Sequence, residues 1–522
     1  MLRSTSCFKA NSGVDPHIGH LYSLVIADVF ARYQRILQPN RPVKFLAGTD
    51  EHGLKIQKAA QAKGLPPAEF CDMLSSRFRK LAEKAQVSHT VFMRTTLPEH
   101  HNTVESIWKA LMEKDLIYTA TYSGWYSITD ECFYTDAQIV EDPLNGMISR
   151  ETGSVVEQHT EVNYMFRLSA FNESLLAHYR SGEHVFPPQH NAFILQTLEQ
   201  KPLEDLSVSR PSSRLSWGIP VPGDPEQTIY VWFDALLVYL SGIGYPWKGD
   251  QGLGAGWPVD LQIIGKDILR FHAFYLPAIL QALGLRLQGR LLTHAHWTVD
   301  QQKMSKSVGN VADPFEAIEE FGVDVVRFYL SRVGGRFRDD TDWSRTQLEK
   351  HNREIQSQLG NLLMRITSAK IAKRAETAHP LTISSIRAEL QKESPILALL
   401  DATKFLPSKV HSLMEQLELG DALDAIMEVL RVANKTISDV APWNKDTAPA
   451  DVFACRSASL EALRVAGICL QPFMPGVSGR LLDALNVPLG DRTWAAIQEE
   501  ELLVRWARPV LGAEVKEAVR LF

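Results

Sequence analysis

Two short motifs far apart in the chain constrain the fold more than any other feature of the sequence. PHIGH spans Pro16 to His20, and KMSKS spans Lys303 to Ser307. KMSKS lies in a polar, glycine-flanked segment between an apolar run that looks buried and a helix expected to begin near Pro314. If both motifs serve one phosphate site, the chain between them must fold into one α/β domain that brings them together.

PHIGH has the residue types of a helix start that can bind an anion. Pro16 fixes the chain just before the helix, and Gly19 lets a ligand approach the backbone closely. His17 and His20 are three residues apart, so both can face the same side of the first turn, where the backbone amides favour anions. Their N–H groups would stabilise charge on a phosphoryl group. Taken alone, the motif is better interpreted as two capping or surface histidines.

KMSKS is even less specific on its own, because Lys and Ser are common on solvated loops. Lys303 and Lys306 are point charges on flexible stems, which suits the neutralisation of a leaving polyphosphate. The polar neighbours and Gly309 suit a loop that closes over a bound nucleotide and reopens. The pairing of the two motifs favours the functional interpretation of both.

The segments near both motifs follow the order of a parallel sheet. A helical period follows PHIGH, and the apolar run at 43–47 ends in GTDEHG before a helical stretch from Lys55 to Gly64. A buried strand is predicted at Leu261 to Ile264, leading into GKD. Loops with functional residues at the carboxyl ends of strands are typical of a Rossmann-like parallel sheet.

Changes in residue pattern along the sequence predict four segments. Residues 1–118 and 208–344 are the two halves of the nucleotide-binding domain. Residues 119–207, with alternating aromatic and polar residues, are an inserted small subdomain of antiparallel strands. Residues 345–522 are an all-α bundle, with helical segments at Ile355 to Ile371, at Leu397 to Leu419 interrupted at Pro407, and at Ala422 to Val440.

Charge and cysteine content exclude several classes of protein. The chain of 522 residues has 55 Lys and Arg against 61 Asp and Glu, a net charge of −6. It is therefore not expected to bind DNA, and any RNA partner needs local basic surfaces. None of the five cysteines forms a CxxC pair, so we expect no disulfide framework and no thiolate zinc site. No apolar run is long enough for a membrane span.

Together the motifs resemble those of a known family. PHIGH, GTDEHG, RPSSRLSWGIPVP, YVWFDALLVYL, IIGKDILRFH, KMSKSVGNVADP, LGNLL, APW and PFMP stand in the order found in the class I aminoacyl-tRNA synthetases, and more closely in the methionyl-tRNA synthetases. The resemblance covers Asp15 to Asn486. It implies ATP-dependent ligation of methionine to its cognate tRNA, tRNA(Met), through methionyl-adenylate, with Mg²⁺ on the polyphosphate.

The resemblance also implies residue roles. Catalytic roles fall on His17, His20, Lys303 and Lys306. The residues matching ATP contacts are these four with Gly19, Gly265, Lys266 and Asp267. The residues matching methionine contacts are Asp50, Trp232, Ala235, Tyr239 and His272.

Two of these groups also make physical sense. Asp50 would hold the substrate ammonium, because a zwitterion entering a partly dry pocket needs a paired anion. An aromatic wall suits a thioether. By spacing alone, Trp232 and Tyr239 would be ordinary core.

In the bundle, Asn361, Arg365 and Trp443 match the family's anticodon-reading residues. Asn and Arg can reach base edges, and Trp can stack on a splayed base. Without the resemblance, a capped bundle helix and a buried Trp would be the default interpretation. We expect a monomer, because no further tRNA-binding module is evident.

The chain departs from the family pattern in two places. Ser127 and Asp130 stand where a CxxC pair is expected, and Cys132 lacks a partner cysteine, so we predict no structural zinc, as in the organellar members. The segment Ser4 to Val14 lacks the Pro and Tyr of the family's first strand. That departure is consistent with a sequence that lacks its natural start and with a weakened methionine pocket.

The N-terminus favours one compartment. It carries Arg3 and Lys9 and no acidic residue before Asp15, which is the composition of a mitochondrial transit peptide, though a short one. We therefore predict the mitochondrial matrix, with the cytoplasm as the alternative.

Two other functions stay open on sequence alone. One is a catalytically impaired, synthetase-like tRNA-binding protein, which the altered first strand favours and the two intact motifs oppose. The other is a class I synthetase for another apolar amino acid. Branched-chain enzymes carry a larger editing insertion, however, and the cysteine enzyme needs zinc ligands.

Overall fold

A parallel sheet carries the segments that the sequence assigns to ligand binding. The computed structural model describes residues 4–6, 8–9, 16–129, 132–134, 136–150, 152–247, 251–304, 311–378, 386–388, 390–498 and 521, and seven of the strands in this part of the chain form the sheet. Leu261–Gly265 lies at its centre, with Arg290–His294 on one side. On the other side, Leu46–Asp50 pairs with Val91–Arg94. Every pair is parallel, as predicted.

The segment before PHIGH supplies a strand in the middle of this sheet. Ser4–Ser6 lies between Leu261–Gly265 and Leu46–Asp50, and Phe8–Lys9 pairs further along Leu46–Asp50. The departure from the family's sequence pattern therefore does not remove the strand. Cys7 and residues 10–15 lie outside the described part of the chain.

The helix that starts in PHIGH links the sheet to the C-terminal helices. It runs from Ile18 to Leu37, 20 residues, and is buried along most of its length. Near its far end, the Tyr33 hydroxyl lies 2.5 Å from Nδ1 of His411. The Ile36 carbonyl accepts a hydrogen bond from the backbone N–H of Trp494 at 2.9 Å. Because α-helices rise 1.5 Å per residue, this helix spans about 30 Å.

A buried arginine joins the same helix to the bundle. Arg327 donates to Asp28 Oδ2 at 2.7 Å, and also to the carbonyls of Pro472 and Phe473 at 2.9 and 3.1 Å. Arg327 is 1% exposed and Asp28 is 0% exposed. The arginine therefore fixes the first helix against the PFMP segment.

The predicted inserted segment contains an antiparallel sheet. Ile117–Ser127 pairs with Glu157–Phe166 and with Cys132–Tyr134, and Leu206–Ser207 adds to the other edge. The antiparallel strands expected from the alternating aromatics are confirmed. Between these strands the chain also returns to the parallel sheet, where Val185–Phe186 pairs with Arg290–His294.

The C-terminal part is helical, as predicted. Its helices are Arg345–Ile355, Asn361–Ile366, Ala369–Ala375, Pro395–Glu415, Leu419–Val440, Pro449–Leu470 and Pro475–Ala484, with a π-helix at Gln356–Gly360. The predicted interruption at Pro407 is wrong, because Pro395–Glu415 continues through it. Leu406, Pro407 and Val410 are all buried, so tertiary packing holds the helix across the missing hydrogen bond.

The remaining elements connect these layers. The other helices are Leu54–Ala62, Pro67–Lys84, Pro98–Glu113, Asn172–Arg180, Pro188–Gln200, Val231–Leu236, Val238–Ser241, Gln251–Ala255, Leu276–Ala282, Pro314–Phe321 and Val323–Gly334. The other strands are Ile139–Asp142, Gly146–Ser149, Ser209–Pro211, Pro220–Val221, Asp224–Ile229, Trp297–Val299, Gln302–Lys303 and Thr341–Asp342. Among the described residues, no helix has the length and apolar character needed to cross a membrane.

Candidate active site

The two PHIGH histidines cap the first helix and lie against each other. Nδ1 of His17 accepts a hydrogen bond from the Gly19 N–H at 3.0 Å, and Nδ1 of His20 accepts from the His17 N–H at 3.2 Å. The ring centroids are 3.8 Å apart. Burial, together with His17, lowers the pKa of His20 well below its usual value. The His20 ring is therefore neutral and carries its proton on Nε2, because Nδ1 is an acceptor.

The predicted GKD turn follows the central strand and lies close to His294 and His296. A Cβ on Gly265 would lie 2.8 Å from Asp267 Oδ1, so a larger residue there would displace that carboxylate. Lys266 Nζ binds the Asp340 carboxylate at 2.7 and 2.8 Å. The charge of Asp267 opposes the lowering of the His20 pKa.

Two further histidines that the sequence did not single out complete this edge. Nε2 of His294 lies 2.7 Å from the Ser23 hydroxyl on the first helix, and its Nδ1 lies 2.9 Å from the Ala295 carbonyl. Burial lowers the pKa of His294 to about 4, so the ring is neutral. Nε2 of His296 lies 3.4 Å from Asp267 Oδ1. The T-H-A-H spacing at the end of the apolar run before KMSKS is the signal that could have found them.

The aromatic residues predicted to bind methionine come together from two helical segments. The Tyr239 hydroxyl lies 2.7 Å from Nε2 of His272. Burial lowers the pKa of His272 to about 4, and its Nδ1 faces the Ile268 carbonyl at 2.9 Å, so Tyr239 donates this bond. Trp232 packs against Tyr275 with ring centroids 5.0 Å apart, and Ala235 is partly buried on the same helix.

Asp50 ends a strand of the parallel sheet and is 3% exposed. Its neighbour Glu51 anchors the loop, since its carboxylate accepts from the Thr49 hydroxyl at 2.6 Å and from Arg94 Nε at 2.8 Å. The Trp217 indole donates to the Glu51 carbonyl at 2.6 Å. The backbone that presents Asp50 is therefore fixed by a hydrogen-bond network.

A buried carboxylate connects the Asp50 loop to the helix that carries Trp232. Asp234 Oδ2 lies 2.7 Å from Nδ1 of His52, and its Oδ1 lies 2.8 Å from Nε2 of His100. Burial alone would raise the pKa of Asp234, but the two histidines hold it well below its usual value. Burial would likewise lower the pKa of His52, but Asp234 raises it. The members of this group lie far apart in the chain, so the sequence does not predict it.

The start of KMSKS forms a short hairpin. Gln302–Lys303 pairs with Trp297–Val299, and the turn residues Asp300 and Gln301 have φ of 52° and 60°. Asp342 holds the turn, because its carboxylate accepts from the Gln301 N–H at 2.9 Å and from the Thr298 hydroxyl. Lys306, Ser307 and Gly309 lie outside the described residues, and the Lys303 side chain is not described.

The three residues predicted to read the anticodon meet on the bundle surface. Asn361 and Arg365 line one pocket together with Ser357, Met364 and Asn434. The Arg365 guanidinium lies over the Trp443 ring, 5.1 Å from its centroid. Trp443 is 38% exposed. A guanidinium beside an exposed indole is a surface on which an unpaired base could stack.

No cluster of three or more metal-ligating side chains occurs in the described ranges. Ser127 pairs with Cys132 across the antiparallel sheet, and Asp130 lies outside the described part. The absence of structural zinc stays a prediction.

Comparisons with known proteins agree on one family. Residues 5–367 match the family described as "tRNA synthetases class I (M)". The probable mitochondrial methionine-tRNA ligase of Neurospora crassa is 41% identical over 537 residues, covering 99% of this chain and 83% of its own. The mitochondrial methionine-tRNA ligase of Homo sapiens is 38% identical, covering 94% and 84%. The structure of Mycobacterium tuberculosis methionyl-tRNA synthetase in complex with methionyl-adenylate aligns with a TM-score of 0.87 at 35% identity, covering 95% of this chain and 96% of that chain.

Proposed function

The chain belongs to the methionine-specific class I tRNA synthetases, and we propose how its residues carry out the two steps of methionine-tRNA ligation. The observation that carries the proposal is the contact between the PHIGH helix and the second half of the sheet, where the Ser23 hydroxyl lies 2.7 Å from Nε2 of His294 and Nε2 of His296 lies 3.4 Å from Asp267 Oδ1. It supports one phosphate site built from both halves of the nucleotide-binding sheet. Membership of this synthetase family favours an active enzyme over a catalytically impaired tRNA-binding protein.

In the first step, the methionine carboxylate attacks the α-phosphorus of ATP in line, and the bond to pyrophosphate breaks. The Nε2–H groups of His17 and His20 donate to phosphate oxygens, where charge develops. The turn Gly265–Asp267 lies along the nucleotide. Lys303 and Lys306 neutralise the departing pyrophosphate. No covalent enzyme intermediate is needed, so catalysis is positioning and charge stabilisation.

Methionine lies between Asp50 and the aromatic cluster. Asp50 binds the ammonium group, and Trp232 and Ala235 flank the side chain. Since Nε2 of His272 already accepts from Tyr239, this pair presents ring edges and the tyrosine oxygen to the thioether. Sulfur contacts with aromatic rings contribute roughly 0.3 to 1.5 kcal/mol each.

Mg²⁺ fits this site as a companion of the nucleotide. Its preferred ligands are phosphate oxygens, waters and one or two carboxylates. The described residues contain no cluster of three metal-ligating side chains, and a metal that arrives with ATP does not need one. Among the described residues, Asp267 carries a carboxylate that is placed to bind Mg²⁺. When bound, Mg²⁺ supplies charge neutralisation to the polyphosphate.

In the second step, a 3′-terminal hydroxyl of tRNA(Met) takes the methionyl group. Asn361, Arg365 and Trp443 read the anticodon. The mitochondrial relatives point to the mitochondrion, and we place the enzyme in the matrix, working as a monomer.

Two assays test this assignment. Methionine-dependent ATP–pyrophosphate exchange should occur, and leucine should not replace methionine. Trp443→Ala should lower kcat/KM for tRNA(Met) charging about tenfold through the loss of one stacked base, and leave exchange unchanged. Phe405→Ala, at another exposed aromatic of the bundle, is the matched control and should change neither. Absence of exchange, or equal activation of leucine, would refute the assignment.

A further inference from the structure

The loop that carries Trp443 begins with a strained turn. Ala441 ends the helix Leu419–Val440 in the left-handed conformation, with φ of 47°, and Pro442 follows it. A residue with a side chain adopts this conformation at a cost, so other contacts must stabilise it. Trp443 is 38% exposed, so burial of its ring holds it only in part. The position of the indole therefore depends on what fixes the backbone of residues 441–447, here called the Trp443 loop.

An arginine outside the Trp443 loop binds its backbone on both sides of the tryptophan. Arg374 lies on the short helix Ala369–Ala375, and its guanidinium donates to four carbonyls of the loop. They are those of Pro442 at 2.7 Å, Asn444, Lys445 at 3.4 Å and Thr447 at 2.6 Å. The first two accept from Nη1 and the last two from Nη2, so both arms of the guanidinium hold the loop.

Arginine suits this place for two physical reasons. Its guanidinium presents several N–H donors in a rigid planar fork, so one side chain can bind several carbonyls at once. Its positive charge is also favourable at the C-terminal end of the 22-residue helix Leu419–Val440, where carbonyls without helical partners carry partial negative charge. Ile371 and Ala375, on the helix that carries Arg374, are buried, so the arginine extends from a fixed element.

The Trp443 loop sets the geometry of the surface assigned to the anticodon. The Arg365 guanidinium lies 5.1 Å from the Trp443 ring centroid, and its Nη2 lies 3.4 Å from the Ser438 hydroxyl. Among the described residues, those that line the adjoining pocket include Arg365 and Asn361 but not Arg374. The contacts of Arg374 therefore reach this surface through the backbone of the loop.

We propose that Arg374 is a positioning residue for anticodon reading, which holds the Trp443 loop in the conformation that presents the indole to an unpaired base. A loop that is ordered before binding spares the complex the entropy of ordering it. The arginine should therefore lower KM for tRNA and leave the chemical steps unchanged. The proposal rests on the proposed function, because Trp443 is the residue through which Arg374 acts.

The first test compares tRNA charging with adenylate formation in the full-length protein. Arg374→Gln should lower kcat/KM for tRNA(Met) charging about tenfold through KM, which is the loss expected for Trp443→Ala. Methionine-dependent exchange should stay unchanged. Arg374→Lys keeps the charge and part of the donors, so it should recover part of the loss. The matched control is Arg492→Gln, which should charge normally, since Arg492 binds the Val487 carbonyl at 2.9 and 2.7 Å in a different loop.

A double-mutant cycle separates positioning from a direct contact and from a general loss of stability. In the Trp443→Ala background, Arg374→Gln should change charging by less than about twofold, because the residue that it positions is already lost. Independent effects would multiply to about 100-fold and overturn the proposal. An equal loss of charging in the Arg492→Gln control would also overturn it.

Binding of an anticodon stem-loop RNA gives a second readout. The wild-type protein should prefer the methionine anticodon to an altered one, and Arg374→Gln should lose this preference, as Trp443→Ala does. An equal loss of affinity for both RNAs would assign Arg374 to a phosphate contact and refute the positioning role. Normal charging by Arg374→Gln beside impaired charging by Trp443→Ala would refute that role alone. Normal charging by Trp443→Ala would instead refute the anticodon role in the proposed function, and the positioning role with it.

Discussion

At the scale of the residue, each of the two PHIGH histidines uses its two ring nitrogens for two different functions. Nδ1 of His17 and of His20 each accept a backbone N–H of the first turn. That bond leaves Nε2 of each ring as the nitrogen that can donate to a ligand, and fixes its direction. Capping and phosphate binding, which are rival interpretations of PHIGH in the sequence, are thus compatible functions of the same side chains.

His20→Ala is expected to lower kcat of ATP–pyrophosphate exchange about 100-fold, the usual cost of losing one donor aimed at developing charge. KM for methionine should stay unchanged, because the aromatic cluster lies on other elements. His20→Asn keeps an acceptor for the cap and an N–H donor, so it should recover much of the rate. Steady-state exchange at varied methionine and ATP measures both constants, and a normal kcat in His20→Ala would contradict the assigned role.

At the scale of the element, the hairpin before KMSKS is held in place from outside. Asp300 and Gln301 both adopt left-handed backbone angles, which cost roughly 1 to 2 kcal/mol each for residues with a side chain. Asp342 compensates by binding the Gln301 N–H and the Thr298 hydroxyl. The backbone of Lys303, the first residue of the motif, therefore has a defined position.

Asp342→Ala should slow adenylate formation about tenfold, because a poorly aimed loop loses positioning, while methionine affinity stays the same. Adding Gln301→Gly should restore part of the rate, since glycine adopts the left-handed conformation without strain. Asp339→Ala, an exposed neighbour, is the control. Stopped-flow adenylate formation and equilibrium methionine binding separate the two effects. Loss of methionine affinity in Asp342→Ala would count against this role.

Elements with strong local signals were predictable from the sequence. The helix start at PHIGH and the strand at 261–265 follow from capping and apolar patterns, which act within a few residues. The interruption predicted at Pro407 is wrong, because packing of its buried neighbours overrides the tendency of proline to break a helix. The Asp234, His52 and His100 group was out of reach, since only the folded chain brings its members together. The contact between His294 and Ser23 was out of reach for the same reason, although the T-H-A-H spacing marks His294 itself.

At the scale of the whole molecule, Arg327 holds the first helix, the segment at 472–473 and the Ala85 carbonyl together. Arg327→Met should lower the free energy of unfolding by about 3 to 5 kcal/mol, because it leaves Asp28 buried without its main partner. Adding Asp28→Asn should recover part of the loss. Urea unfolding of both variants checks this, and a double variant as unstable as the sum of the single ones would argue against coupling.

The neutral buried histidines predict sensitivity to acid. The pKa values of His272 and His294 are lowered by burial to about 4. Unfolded histidine has a pKa of about 6.5, so between these values the unfolded chain binds more protons. Stability is therefore full above pH 6.5 and falls as pH drops towards 4, by on the order of 1 to 2 kcal/mol per ring at pH 5. Urea midpoints at pH 7 and pH 5 measure the loss. His294→Gln should reduce it, and an unchanged pH dependence in that variant would contradict the cause.

The first helix can also transmit a movement from its C-terminal end to the histidines at its start. It is stiff, buried along most of its length, and attached near Tyr33 and Ile36 to the helical part of the chain, while His17 and His20 sit at its opposite end. Over its length of about 30 Å, a tilt of about 2° at the attached end moves the imidazoles by about 1 Å, a displacement that can change a rate about 100-fold. A shift of the C-terminal helices on binding a large partner would therefore change the direction in which His17 and His20 point at the phosphate site.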